Sequence, residues 1–120
     1  ETDQMKYAYY GIYAQYFEVG RVELLRSLGL SYRELEEKGY ALPVVNYNIN
    51  YKKPAFYDDE LTIETTVAQI PTVKIVFTYN TYNEKGNLLN TAETTLVFID
   101  YETGKPCAAP KILTDKLKSL

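Results

Sequence analysis

The sequence predicts an α+β fold in which one long helix buries its face on an antiparallel sheet. Three observations predict it. A single strong helical periodicity lies near the start of the chain, strictly alternating segments follow it, and those segments are joined by connections of hairpin length with no βαβ alternation. No internal repeat and no low-complexity stretch interrupts this order, and 120 residues suit one domain.

Over residues 11–28 the positions Tyr13, Phe17, Gly20, Leu24 and Leu28 recur at helical spacing and share one face. Glu18 with Arg21, and Glu23 with Arg26, stand three apart on more polar faces, and Gly29 supplies a stop. Gly20 in mid-helix costs about 1 kcal/mol relative to alanine, a cost that close approach of a sheet would explain. Ser31 and Glu34 form a capping box for a second, short helix that Gly39 closes ahead of Pro43.

From Val45 the period changes to two. Val45, Tyr47, Ile49 and Tyr51 fall on one side and Asn46, Asn48 and Asn50 on the other, which predicts a half-buried strand ended by Pro54. Leu61, Ile63, Thr65 and Val67 repeat the pattern, as do Val73, Ile75, Phe77 and Tyr79, and the break at Pro71 makes these two antiparallel neighbours. A turn over 83–87 with Gly86 leads into an extended run over 88–101, and a second turn holds Gly104. The segment after Pro110 predicts a short helix with Ile112, Leu113 and Leu117 inward.

Composition narrows the chemistry. With no histidine the chain has no imidazole acid or base, no Ser-His-Asp triad and few routes to a zinc site. The single cysteine, Cys107, reads as a small inert residue and gives no sign of an oxidising compartment. A net charge of -3 offers no broad attraction for nucleic acid, and no apolar run is long enough to span a membrane. No metal, no nucleic acid, no membrane and a cytoplasmic location are therefore expected.

The segments ETDQM, Tyr10-x-x-Tyr13, FEVGR, ELLRSLGLSY, LEEKGYALPVV and YKKPAFYDDEL together resemble the 4-hydroxybenzoyl-CoA thioesterase-like family of hotdog-fold proteins, along nearly the whole chain. The resemblance implies a hotdog fold, an antiparallel sheet wrapped around one central helix, with a first strand upstream of residue 1. It implies hydrolysis of acyl-CoA thioesters, with coenzyme A entering only as part of the substrate and no other cofactor. Carried over by position, Asp3 matches the catalytic aspartate. Tyr10 falls where a backbone amide polarises the thioester carbonyl. From the aromatic cluster of 7–17, Tyr9 and Tyr13 are the candidate substrate-binding residues, with Tyr10 and Tyr13 the pocket lining. Lys6 and Ile12 depart from the family pattern, which usually has glycine and asparagine there. A non-catalytic acyl-CoA or aromatic-ligand binding protein on the same fold is the competing reading.

Read from the residues alone, these positions keep plainer alternatives. An aspartate ahead of a helix is an ordinary cap, and the tyrosines of 7–16 also suit a core or a subunit interface. If a helix starts near Tyr10, its free amides point toward Asp3 and form an oxyanion site. Glu18 reads as structural, Glu64 and Glu93 lie in strands with no reason to face Asp3, Asp58-Asp59-Glu60 reads as a turn, and Lys52 and Lys53 could meet coenzyme A phosphates. A sheet around one helix leaves an open strand edge, so a homo-oligomer, a dimer or a dimer of dimers, is expected.

Overall fold

The computed structural model describes the backbone of residues 2–56 and 58–120 and the side chains of residues 12–56 and 58–120. Helix α1 (Thr2–Ser27) is followed by α2 (Tyr32–Glu37), β1 (Tyr40–Ala41), β2 (Val44–Tyr51), β3 (Thr62–Val67), β4 (Lys74–Tyr82), β5 (Leu88–Val97), β6 (Ile99–Asp100) and α3 (Lys111–Lys118). The main sheet is antiparallel with order β2-β5-β4-β3, and β1 pairs with β6 in a separate two-stranded ribbon.

The α1 face packs on this sheet as its periodicity requires. Tyr13, Phe17 and Leu28 are buried, and Leu25 joins them. They meet Ile75, Phe77 and Tyr79 of β4 and Ala92 and Leu96 of β5 in one core, with Phe98 beyond the end of β5. Phe17 stacks on Tyr79 with ring centroids 4.4 Å apart. Gly20 lies against β3, where a Cβ would overlap Thr65 Oγ1, so close approach is the reason for this glycine. Gly29 ends α1 with φ +80°, a conformation other residues rarely adopt.

The capping box forms as expected. Ser31 Oγ accepts from the Glu34 amide at 3.1 Å, and Gly39 takes φ +94° after α2. β3 and β4 pair antiparallel, and the 83–87 turn closes on Asn83, whose Oδ1 accepts from the amides of Lys85 and Asn87.

Five expectations need correction. α1 starts at Thr2, not near Tyr10: no proline or capping residue separates Lys6 from Gly11, and Asp3 suits the positive end of a first turn. β2 is not half-buried, because it is an outer strand: Tyr47 and Tyr51 are 40% and 44% exposed, although both face α1. A register shift between Val44 and Asn46 also takes Val45 out of the alternation and pairs Val44 with the buried Leu96. The long extended run breaks at Phe98, whose amide turns to the Val73 carbonyl, and β6 leaves to pair with β1. In α3 Leu113 and Leu117 are buried, while Ile112, roughly 100° round the helix, is exposed.

Candidate active site

The face of the sheet covered by α1 holds the described residues that bear on the candidate site. Asp3, Tyr9 and Tyr10 belong to the first half of α1, and their side chains lie outside the described residues. With α1 beginning at Thr2, the amides left free by the helix start are those of its first four residues, and Tyr10 stands further along the ladder. The side chain of Tyr13 is described: 2% exposed, stacked on Phe17 and 6.0 Å, centroid to centroid, from Tyr51. In this chain alone it is a core residue on the α1 side of the β2 edge.

Further along α1 the structure places a residue that periodicity misassigned. Arg21, expected to pair with Glu18 on a polar face, is 8% exposed and donates from Nη1 to Tyr79 Oη at 3.1 Å. Tyr79 in turn shares a 2.7 Å hydrogen bond with Thr94 Oγ1. The Tyr32 phenol stands beside the guanidinium outside hydrogen-bonding geometry, and Arg21 Nε has no partner. Burial works against the Arg21 charge, but the phenols of Tyr79 and Tyr32 outweigh it and hold the pKa above its ordinary value. Glu18 is exposed and takes part in none of the described ion pairs, whereas Arg26 and Glu23 do meet, at 2.9 Å. A signal for Arg21 was present: it stands four residues after Phe17 and four before Leu25, on the buried stripe.

Two hollows flank α1. Between α1 and the β2 edge lies a small cavity of about 100 Å³ lined by Ala14, Phe17, Arg21, Val44, Tyr47 and Thr94. On the opposite side an open groove of about 710 Å³ runs between α1 and β3, walled by Tyr16, Val19, Leu24, Leu61 and Ile63 with Glu23 and Asp59 also lining it. Burial, then the neighbouring Tyr51 and Tyr79, push the Tyr47 phenol up to about 12. Burial, then the Asp100 carboxylate, push the Cys107 thiol up, which favours its protonated form.

Of the remaining candidates, Asp59 lines the groove beside α1. Glu64 and Glu93 are exposed and alternate out of the inward rows of β3 and β5. Asp59 closes a turn by accepting from the Phe56 amide at 2.7 Å. Among the described residues no cluster of three or more Asp, Glu or Cys is arranged to hold a metal ion, and no helix is long and apolar enough to cross a membrane. Lys52 and Lys53 sit at the end of β2, both donating their amides to the Leu89 carbonyl, with their side chains exposed beside Tyr51.

The chain and its fold are similar to known proteins. Residues 1–117 match the thioesterase-like superfamily. The chain belongs to that family. It is 37% identical over 115 residues to the putative acyl-CoA thioesterase YneP of Bacillus subtilis, covering 96% of this chain and 83% of the relative. It is 32% identical over 118 residues to the acyl-CoA thioester hydrolase YbgC of Escherichia coli, covering 98% and 88%. Among solved structures, the DHNA-CoA thioesterase from Staphylococcus aureus superposes with a TM-score of 0.80 at 36% identity, covering 91% of this chain and 73% of that one. The α+β architecture is therefore the hotdog fold of these thioesterases.

Asn90 and Thr81 went unnoticed in the sequence and are prominent in the structure. Both are fully buried on the face that α1 covers, and their side-chain polar atoms lack hydrogen-bond partners. The signal for them was the alternation itself, which puts Asn90 in register with Ala92, Thr94 and Leu96 on the inward side of β5.

Proposed function

We propose that this chain hydrolyses acyl-CoA thioesters to the free acid and coenzyme A, using Asp3 near the start of α1. The observation that carries the proposal is membership of the thioesterase-like superfamily over residues 1–117, a match that includes the ETDQM segment holding Asp3. The names of YneP, a putative acyl-CoA thioesterase, and YbgC, an acyl-CoA thioester hydrolase, point the same way.

The chemistry asks little of the protein. A thioester carbonyl gains negative charge as it is attacked, and the free amides at the positive end of α1 are suited to take it up. Asp3 either accepts a proton from the attacking water or attacks the carbonyl carbon itself, giving an anhydride that water then opens. In both routes the C–S bond breaks, coenzyme A leaves as its thiolate and takes up a proton, and one water is consumed; its oxygen goes to the acyl carbon in the direct route and to whichever anhydride carbonyl it attacks in the other. With no histidine in the chain, a carboxylate is the fitting base. Lys52 and Lys53, exposed at the end of β2, would offer positive charge to the coenzyme A phosphates.

The working unit is a homo-oligomer built on the β2 edge. β2 pairs with β5 on one side only among the described residues, and it exposes Val44, Val45, Tyr47 and Tyr51. A second copy would satisfy the unpaired backbone and cover these side chains. Sedimentation at micromolar concentration should return at least a dimer mass, and a monomer would refute this part of the proposal.

Free-thiol release from short, medium, long-chain and aromatic acyl-CoAs tests the activity. Asp3→Asn should lower turnover by roughly 10²–10⁴-fold, the usual contribution of a positioned acid or base. Full activity in that variant would remove Asp3 from the mechanism. A folded protein that turns over none of the esters, but melts higher with one of them, would replace hydrolysis with ligand binding.

A further inference from the structure

A positive charge is buried in this fold with no negative charge opposite it. Arg21 is 8% exposed, and its guanidinium makes one described hydrogen bond, the 3.1 Å donation from Nη1 to Tyr79 Oη. Its polar neighbours are hydroxyls: Tyr79, which also bonds Thr94, and the Tyr32 phenol, which stands close by outside hydrogen-bonding geometry. A hydroxyl solvates a guanidinium in part, whereas a carboxylate neutralises it. Glu18, one turn earlier on α1, is exposed, and among the described residues no carboxylate forms an ion pair with Arg21. An arginine keeps its charge at any ordinary pH, and an unopposed charge in a protein interior is costly.

Arg21 also lines the cavity of about 100 Å³ between α1 and the β2 edge. The other described walls are Ala14, Phe17 and Val44, which are apolar, with Tyr47 and Thr94. The described lining therefore holds one positive charge and no negative one. The space is worth about three water molecules, enough for a carboxylate on a stem of one or two carbons and too small for a drug-sized ligand. The groove on the other side of α1 has the opposite character, with Glu23 and Asp59 in its wall.

We propose that this cavity is a binding site for the carboxylate of a short organic acid, held by Arg21. The planar fork of a guanidinium matches a carboxylate in charge and in shape, and with five N–H donors it can bond an anion while keeping Tyr79. Ala14, Phe17 and Val44 suit a methyl or ethyl stem. An inorganic dianion gains nothing from them, and its second charge meets no second cation. Burial holds the Tyr47 phenol up at about 12, so this wall presents a neutral ring to the anion at neutral pH. A second copy seated on the β2 edge would shield the cavity further and make an unopposed charge costlier still. The site does not depend on the hydrolase reading, although hydrolysis of a short-chain thioester would release an acid of this kind.

Thermal melting in a sodium acetate series, against sodium chloride at equal ionic strength and neutral pH, tests the site. Acetate should stabilise the wild type in a saturable way, by about 4 °C or more at roughly tenfold excess over its half-saturating concentration. Propionate should act like acetate, and benzoate, too large for the cavity, should not. Arg21→Met removes the charge while keeping an apolar stem, and Ala14→Leu fills the cavity while leaving Arg21 bonded to Tyr79. Both variants should lose the saturable shift. Equal melting of the wild type in acetate and chloride overturns the proposal. A saturable shift that either folded variant keeps, or that benzoate reproduces, puts the carboxylate somewhere other than this cavity and overturns it too. If Arg21→Met does not fold, Ala14→Leu, at an exposed position, carries the comparison. None of these readouts needs turnover, so their outcome is separate from that of the thioester assays.

Discussion

Alanine at Gly20 should destabilise this protein even though it removes a poor helix former. In an unobstructed helix interior the exchange would stabilise by about 1 kcal/mol. Here the new Cβ overlaps Thr65 Oγ1 and comes within 3.8 Å of Thr65 Cγ2, and overpacking of that kind costs about 1–3 kcal/mol. The net expectation is a loss of about 1 kcal/mol. Thr65→Ala removes the obstructing Oγ1 and leaves its own Cβ at 3.5 Å, an ordinary contact, and the hydroxyl it deletes is buried without a partner. In that background Gly20→Ala should gain about 1 kcal/mol, so the two substitutions should couple by about 2 kcal/mol. Urea unfolding of the four proteins, followed by circular dichroism, measures the cycle. Stabilisation by Gly20→Ala alone, or additivity within about 0.5 kcal/mol, would show that helix and strand are not in the contact described.

Three further expectations come from the same packing. Tyr79→Phe deprives both Arg21 and Thr94 of a buried partner, and urea unfolding should show a loss of about 1–3 kcal/mol; a neutral result would mean the Arg21 guanidinium reaches water. Ser31→Ala should cost about 1 kcal/mol by the same assay through loss of the α2 cap, and an unchanged midpoint would argue that α2 is held by Leu35 alone. Tyr47 titrates at about 12 in the fold against 10.0 ordinarily, so the fold favours its neutral phenol. That stability is whole below pH 10.0 and disappears as pH rises through about 12. Melting temperature against pH should therefore fall less across this window in Tyr47→Phe than in the wild type, and parallel curves would sink the assignment. Tyr32, also raised, chiefly by burial, adds to the alkaline loss in both proteins.

Much of the fold was legible because its signals are local. The spacing of Tyr13, Phe17 and Leu28 marks one helical face, Ser31 with Glu34 marks a helix start, and Gly29 and Gly39 mark backbone that only glycine adopts easily. What escaped depends on neighbours distant in sequence. The alternation of β2 shows which side chains face α1 and says nothing of whether another strand lies beyond it, so Tyr47 and Tyr51 point inward and remain exposed. The pairing of β1 with β6 joins residues nearly half the chain apart through two-residue strands too short to show a period. Arg21 was placed on a polar face because a charge is ordinarily outside, and only the positions of Tyr79 and Tyr32 reveal what surrounds it.

The candidate site divides along the same line. Asp3 and Tyr10 are reached through resemblance, which transfers a role by position and needs no geometry, and Tyr9 and Tyr13 through the aromatic cluster around them. Asn90 and Thr81 fall on inward rows that the alternation marks, and the register of β4 and β5 sets them side by side. Their chemistry differs from that of the neighbouring polar residues in one respect. Arg21, Tyr79 and Thr94 are joined by hydrogen bonds, so their burial is partly compensated within the chain. Asn90 and Thr81 have no such compensation, and selection for stability alone would favour leucine and valine at these positions.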